Sequence, residues 1–130
     1  MTGDPSGEPS SSGRAGIDLN DVLDEAPCGF LVCDPGGVIL DANRTFRMWA
    51  GRPGHELTSG LRFQDLLTLP GRIFYETHCA PLLRMQGFLR EISCHISRSD
   101  GPPLPVLVNS KLRLGADGRP HLIYTTVFDA

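Results

Sequence analysis

The stretch PCGFLVCDPGGVILDANRTF, residues 27–46, contains two short apolar runs separated by a turn sequence. Residues 29–34 form the first run, Pro35-Gly36-Gly37 ends it, and residues 38–42 form the second. Because short apolar runs bounded by Gly and Pro are typical of strands, this stretch predicts a β-hairpin. Asn43 then stands where the N-cap of a helix is expected, and Gly51 stands where that helix would end.

The pattern downstream predicts short helices, one longer helix and then three strands. Residues 61–69 and 72–85 have the helical spacing of apolar side chains, and Pro81 is expected to kink the longer segment. Residues 88–98, 104–114 and 121–128 alternate between apolar and polar side chains, which is the period of a strand with one buried face. The predicted fold class is therefore α+β, with a five-stranded antiparallel sheet, short helices and one longer helix packed on one face.

Three segments are expected along the chain. Residues 1–16, MTGDPSGEPSSSGRAG, are dominated by Gly, Ser and Pro and are predicted to be a disordered tail, because they bury too little apolar surface to offset the entropy of ordering. Residues 17–26 place Leu19, Val22 and Leu23 on one face and predict a short amphipathic helix. Residues 27–130 form the main domain.

The composition excludes several classes of protein. With 12 Lys and Arg against 15 Asp and Glu, the net charge is −3, so no basic surface is expected to bind nucleic acid. No apolar run approaches the roughly 20 residues that span a bilayer, and the N-terminus lacks the layout of a signal peptide. We therefore expect a cytoplasmic protein of one domain, bound neither to membranes nor to nucleic acid.

The four cysteines indicate neither a zinc site nor a disulfide framework. Cys28, Cys33, Cys79 and Cys94 include no Cys-x-x-Cys pair and no spacing typical of a metal site. Reduced and mostly buried thiols are expected, and no metal site is predicted.

A histidine lies in the apolar stripe predicted for the longer helix. At about 100° per residue, Phe74, His78, Pro81, Leu82 and Met85 gather on one side of the segment 72–85. A neutral histidine there would either pack against the sheet with a hydrogen-bond partner or contact a small ligand in an apolar cavity. The spacing alone does not decide between these two interpretations.

The order of these features resembles that of a PAS domain from about Ala26 to Asp129. The run 27–34 is similar to the first strand of that family, residues 41–46 resemble its second strand and "N-x-x-F" helix start, and Asp100-Gly101 resembles its turn between late strands. The segment 71–88 is similar to a bacterial subgroup that precedes PP2C-type phosphatases and histidine kinases. The resemblance implies a sensory or regulatory module of bacterial signal transduction that binds a small ligand or a partner protein.

The resemblance also implies where a ligand and a second copy would bind. The longer helix would cover the inner face of the sheet and form one wall of a ligand pocket. The residues predicted to line that pocket are Phe46, Trp49, Phe74, His78, Leu82, Met85, Ile92 and Cys94. The helix at 17–26 would mediate a homodimer, as flanking helices of this family do.

Two sharper alternatives follow from His78. In a haem-binding redox or gas sensor, His78 would be the proximal iron ligand, because that is how haem-binding members resemble one another. The flavin-binding motif Asn-Cys-Arg-Phe-Leu-Gln is absent from the sequence, which argues against covalent flavin chemistry.

A small enzyme using His78 with Cys79 or Glu76 is disfavoured, because adjacent helical residues point about 100° apart and no orienting group or oxyanion motif accompanies them. The prediction is a module without enzymatic activity of its own.

Overall fold

The computed structural model describes residues 16–130, so all of the predicted tail except Gly16 lies outside the described residues. The helices are α1 (Leu19–Asp24), α2 (Arg44–Ala50), α3 (Gly54–Leu57), a 3-10 helix (Phe63–Leu66), α4 (Leu69–Phe74), a π-helix (Tyr75–Cys79) and α5 (Ala80–Gln86). The strands are β1 (Gly29–Cys33), β2 (Ile39–Ala42), β3 (Phe88–Ile96), β4 (Leu104–Leu114) and β5 (Pro120–Asp129). Each predicted strand is present.

The strands form one antiparallel sheet in the order β2-β1-β5-β4-β3. The first strand pairs with the last, for example Leu31 opposite Thr125, which leaves β5 as the central strand. The helices between β2 and β3 cover one face. This arrangement confirms the predicted α+β class with five antiparallel strands.

Asn43 joins the hairpin, α2 and α1. Its Oδ1 accepts hydrogen bonds from the backbone N–H groups of Phe46 at 3.1 Å and Phe30 at 2.9 Å. Its Nδ2 donates to the carbonyl oxygens of Leu23 at 2.6 Å and Cys28 at 3.0 Å. The predicted N-cap therefore also attaches α1 to the domain, since one side chain satisfies groups from three segments.

The longer helix runs from α4 through the π-helix into α5 without a break. The N–H of Ala80 donates to the carbonyl oxygen of Tyr75, five residues earlier, which is the hydrogen bond of a π-helix. Thr77 adds a bond from its hydroxyl to the carbonyl oxygen of Ile73 at 2.8 Å. Pro81 follows directly within the first turn of α5, so the irregularity expected at the proline lies in the turn before it.

A bulge in β3 determines which of its side chains face outward. Leu89 pairs with Ser110 and Ile92 with Val108, so Arg90 and Glu91 both lie opposite Asn109. Glu91 has a φ of 53°, and its N–H donates to Asn109 Oδ1 at 3.0 Å. Leu89 points into the core while Arg90 is exposed on the outer face of the sheet.

Candidate functional site

A small cavity lies between the long helix, the β1–β2 turn and the ends of β4 and β5. Its volume is about 60 Å³. Its lining is apolar apart from one amide, one phenol and one guanidinium. The lining residues are Pro35, Gly36, Gly37, Gln64, Tyr75, Ala80, Leu83, Arg84, Leu112, Pro120 and Ile123.

The inner face of the long helix provides one wall of this cavity. Tyr75, Cys79 and Leu83 are buried and spaced four residues apart. Tyr75 packs edge to face against Phe63 of the 3-10 helix, with ring centroids 5.6 Å apart. Tyr75 therefore lines the cavity with a side chain that packing holds in place.

Tyr75 lies among three buried thiols. Burial raises the pKa of the Tyr75 phenol well above its usual range, and the neighbouring Cys33, Cys79 and Cys94 raise it further. Burial also raises the pKa of Cys33 to about 12 and of Cys94 to about 11, and raises the pKa of Cys79. All of these groups are therefore protonated at neutral pH, and the thiols do not act as nucleophiles there.

Gln64 is the buried polar side chain of the opposite wall. It is 5% exposed, and within residues 16–130 its Oε1 has no hydrogen-bond partner. Gly37 has a φ of 97°, and a Cβ atom at that position would lie 2.5 Å from Gln64 Oε1. The turn therefore needs glycine both for its backbone conformation and for the close approach of the amide. A buried amide oxygen without a partner in a residue that lines a cavity is expected to accept a hydrogen bond from a bound molecule or water.

The predicted position of the helical stripe is wrong. Phe74, Leu82 and Met85 are 49%, 38% and 80% exposed, and His78 is exposed with them. His78 stacks on Phe74 with ring centroids 5.0 Å apart, and its Nδ1 lies 2.8 Å from the Thr77 hydroxyl. The buried face lies one residue later, at Tyr75, Cys79 and Leu83.

The other four predicted pocket residues lie in different parts of the domain. Phe46 and Cys94 are buried, while Trp49 and Ile92 are half-buried against the core. Phe46 packs against Gly29, where a Cβ atom would lie 2.9 Å from Phe46 Cδ1. None of the eight predicted residues lines the 60 Å³ cavity. That these side chains contact a ligand stays a prediction. The geometry favours the 60 Å³ cavity, which none of them lines, as the place where a ligand would bind.

The arrangement does not fit haem held by His78. Pockets for ligands of drug or cofactor size enclose roughly 300–1,000 Å³, several times the volume found here. His78 lies on the surface of the helix that faces away from the sheet, so its ring does not reach the interior. Among residues 16–130, no group of three or more His, Cys, Asp or Glu side chains is arranged to hold a metal ion.

Sequence reasoning missed Tyr75, Leu83, Gln64 and Gly37. A signal was present for the first two, because Tyr75, Cys79 and Leu83 recur at i, i+4 and i+8 one position after the predicted stripe. Gln64 and Gly37 are brought together only by the tertiary fold.

None of the described helices in residues 16–130 is long and apolar enough to cross a membrane.

The N-terminal helix α1 is exposed except at its last residue, Asp24, which is half-buried. Leu19, Val22 and Leu23 are about half exposed, and none of its residues is buried. It is attached through Asn43, through the bond from Arg44 N to Asp24 Oδ1 at 3.1 Å and through an ion pair of Arg44 with Glu25. The structure has a helix at Leu19–Asp24, within the residues 17–26 predicted to be helical, and its apolar side chains are only partly covered by the described part of the chain.

Comparisons with known proteins agree on the fold. A family model described as the PAS fold matches residues 23–130. The phosphoserine phosphatase RsbP of Bacillus subtilis (strain 168) is 35% identical over 92 residues, which are 70% of this chain and 22% of that enzyme. The chain thus spans about a fifth of the length of the curated relative.

Solved structures give the same result. The PAS domain of a protein from Colwellia psychrerythraea superposes with a TM-score of 0.72 at 18% identity, covering 86% of this chain and 93% of that one. An RNA-binding light-oxygen-voltage receptor superposes with a TM-score of 0.75 at 18% identity, covering 94% of this chain and 36% of that one. At these identities the superpositions show the fold, and the resemblance stated from the sequence is confirmed.

Proposed function

The chain belongs to the PAS-fold family, and from that premise we propose that it is a cytoplasmic sensory module that reads a small molecule in the cavity beside Tyr75. The observation that supports this is the apolar cavity lined by Tyr75 and by Gln64, whose amide oxygen has no hydrogen-bond partner among residues 16–130. Convergent polar groups in an otherwise apolar cavity are the usual composition of a ligand site. At about 60 Å³ the cavity suits a molecule of a few non-hydrogen atoms unless its walls move apart.

The walls of the cavity suggest how binding is transmitted. One wall is the turn 35–37, another is the long helix and a third is the start of β5, the central strand. Expansion of the cavity on binding would separate the turn from the helix and displace the central strand. Since packed cores respond by shifting whole elements, occupancy would alter surfaces distant from the cavity.

The module itself is proposed to be regulatory and not catalytic. The thiols around Tyr75 are protonated at neutral pH, and His78 has no carboxylate partner among residues 16–130. The output is proposed to be a phosphatase acting on phosphoserine, by analogy with the relative whose matching stretch makes up 22% of its length. The module is further proposed to form a homodimer through the exposed apolar face of α1.

Ligand binding is tested by measuring the melting temperature of the purified chain with a library of small polar organic molecules. We expect a compound to raise the melting temperature of wild type, because a ligand that binds only the folded state stabilises it. Tyr75→Phe removes the hydroxyl and should weaken that compound about tenfold, the usual effect of losing one buried hydrogen bond.

A variant with a filled cavity provides the decisive comparison. Ala80→Leu adds three carbons to a residue that lines the cavity, whereas Ala116→Leu makes the same change at an exposed position in the β4–β5 turn. We expect Ala80→Leu to lose the response and Ala116→Leu to keep it. A response of the same size in both variants would refute the cavity as the binding site.

A further inference from the structure

The cavity beside Tyr75 has a buried end and an open end. The lining residues of the buried end are Gly37, Gln64, Tyr75, Leu83 and Ile123. Three other lining residues are exposed, and they come from the β1–β2 turn, the long helix and the start of β5: Gly36, Arg84 and Pro120. A molecule would therefore enter between these three residues, and Arg84 is the charged side chain at the entrance.

The charge of Arg84 is not matched by a carboxylate of the described chain. Arg84 forms no ion pair within residues 16–130, and no Asp or Glu side chain lines the cavity in that range. Asp34 precedes the turn, but its Oδ1 accepts hydrogen bonds from the backbone N–H groups of Gly36 and Val38, each at 2.9 Å. The entrance therefore presents a guanidinium that is available to an anion from solution.

The positive charge of Arg84 is felt at the buried end of the cavity. The N–H of Ala80 bonds to the carbonyl oxygen of Tyr75, and Arg84 follows Ala80 by four residues, so the three lie in a row along the helix. Burial and the neighbouring thiols raise the pKa of the Tyr75 phenol, and the guanidinium of Arg84 acts in the opposite direction. That effect requires the guanidinium to lie within electrostatic range of the phenol.

An unpaired hydrogen-bond acceptor lies at the buried end. Gln64 Oε1 has no partner within residues 16–130 and lies close to Gly37, another lining residue. A buried acceptor without a partner costs free energy, which a ligand hydroxyl recovers by donating to it. The cavity thus has a cation at its entrance and an acceptor inside, with mostly apolar side chains between them.

The volume of the cavity limits the ligand to a few atoms. At roughly 10–15 Å³ for each water-sized group, about 60 Å³ holds about four to six non-hydrogen atoms. Short hydroxy acids such as glycolate, lactate and 3-hydroxypropionate are of this size. Arginine binds a carboxylate through paired N–H···O bonds, and a single guanidinium matches the single charge of a monocarboxylate.

We propose that the cavity binds a short hydroxy monocarboxylic acid, with its carboxylate on Arg84 and its hydroxyl donating to Gln64 Oε1. This inference rests on the proposed function and specifies the chemical class of the ligand. A neutral molecule leaves Arg84 without a partner, and an acid that lacks the hydroxyl leaves Gln64 Oε1 without one. Both should therefore bind more weakly than the hydroxy acid.

A matched series of small molecules tests the two contacts separately. The ¹⁵N-labelled full chain is titrated at pH 7 with glycolate, lactate and 3-hydroxypropionate, and the amide signals are followed by NMR. We expect at least one acid to bind with a Kd of roughly 0.1–10 mM, the range reached by ligands of so few atoms. The amide of that acid and the same acid without its hydroxyl should each bind at least about tenfold more weakly.

Substitution of Arg84 assigns the carboxylate to its partner. Arg84→Gln should weaken the hydroxy acid at least about tenfold and change binding of its neutral amide by less than about threefold. Arg90→Gln is the matched control, because Arg90 is also exposed, has no ion pair within residues 16–130 and does not line the cavity. It should leave binding of both compounds unchanged. The NMR spectrum of each variant shows directly whether it folds.

A reversal of the charge gives an independent measurement. Arg84→Glu should lose the hydroxy acid and bind 2-aminoethanol, which keeps a hydroxyl and replaces the carboxylate with an ammonium group. We expect 2-aminoethanol to bind this variant at least about tenfold more tightly than wild type. Equal binding of 2-aminoethanol by the two proteins would contradict the position of the charged group at residue 84.

The outcomes distinguish this inference from the proposed function. A hydroxy acid that Ala80→Leu excludes and Arg84→Gln still binds with unchanged affinity refutes the contact with Arg84 while the cavity stands as the site. A neutral compound that binds the cavity when none of the three acids binds at about 20 mM, well above the expected Kd, refutes the acid and leaves the proposed function intact. An acid that Ala80→Leu binds as tightly as wild type refutes both.

Discussion

The assignment of the buried face of the long helix is tested by replacing two of its residues with alanine. Leu83 is 2% exposed and Met85, two residues later, is 80% exposed. Leu83→Ala loses about 0.8 kcal/mol for each of the three buried carbons removed, or about 2.4 kcal/mol in total. The space left behind adjoins an existing cavity and adds a further cost, so we expect a loss of about 3 kcal/mol in the free energy of unfolding. Met85→Ala should change it by less than about 0.5 kcal/mol.

Urea unfolding followed by circular dichroism measures both values. For a domain of this size, about 3 kcal/mol corresponds to a fall in melting temperature of roughly 10 °C. Leu82→Ala, at 38% exposure, should lie between the two variants. A loss for Met85→Ala equal to or larger than that for Leu83→Ala would refute the buried face and restore the stripe that contains His78.

Two further predictions concern stability and reactivity. Asn43→Ala should lower the free energy of unfolding by about 2–4 kcal/mol in urea, because four hydrogen bonds of a buried side chain are lost. Asn20→Ala, at an exposed position, serves as its control, and equal losses would contradict the role of Asn43. At pH 8, a thiol reagent should modify the half-buried Cys28 and leave Cys33 and Cys94 unmodified until the protein unfolds, and fast labelling of all thiols in the folded state would contradict this. The pKa of Cys33 is raised to about 12 and that of Cys94 to about 11, from 9.0, so the stability they contribute is complete below pH 9. That contribution to the free energy of unfolding should be lost as the pH rises above 9 and through about 11 to 12. A free energy of unfolding that falls no more steeply with pH above 9 than below it would argue against buried thiols.

The strands were predictable because their side chains alternate and their turns contain Gly and Pro. The apolar runs on either side of Pro35-Gly36-Gly37 indicate a β-hairpin. Asn43 is the N-cap of α2 in the structure, as the sequence predicted. The pairing of β1 with β5 depends on contacts distant in sequence. The pattern of no one segment carries this information, and the pairing was not predicted.

The site was not predictable because the long helix carries two apolar stripes. Phe74, Leu82 and Met85 are as apolar as Tyr75, Cys79 and Leu83, so composition does not identify the buried set. Both stripes recur every four residues, so periodicity does not decide between them, and the tertiary fold is what buries Tyr75, Cys79 and Leu83. A helical wheel at about 100° per residue groups each of the two sets on one side and does not show which side faces the sheet.

The central claim is that a small molecule is held beside Tyr75 and not at His78. Native mass spectrometry of wild type, His78→Ala and Ala80→Leu, each incubated with the stabilising compound, tests it most directly. The account predicts the additional mass of the compound on wild type and His78→Ala and its absence from Ala80→Leu. Retention of the compound by Ala80→Leu together with its loss from His78→Ala would contradict the account.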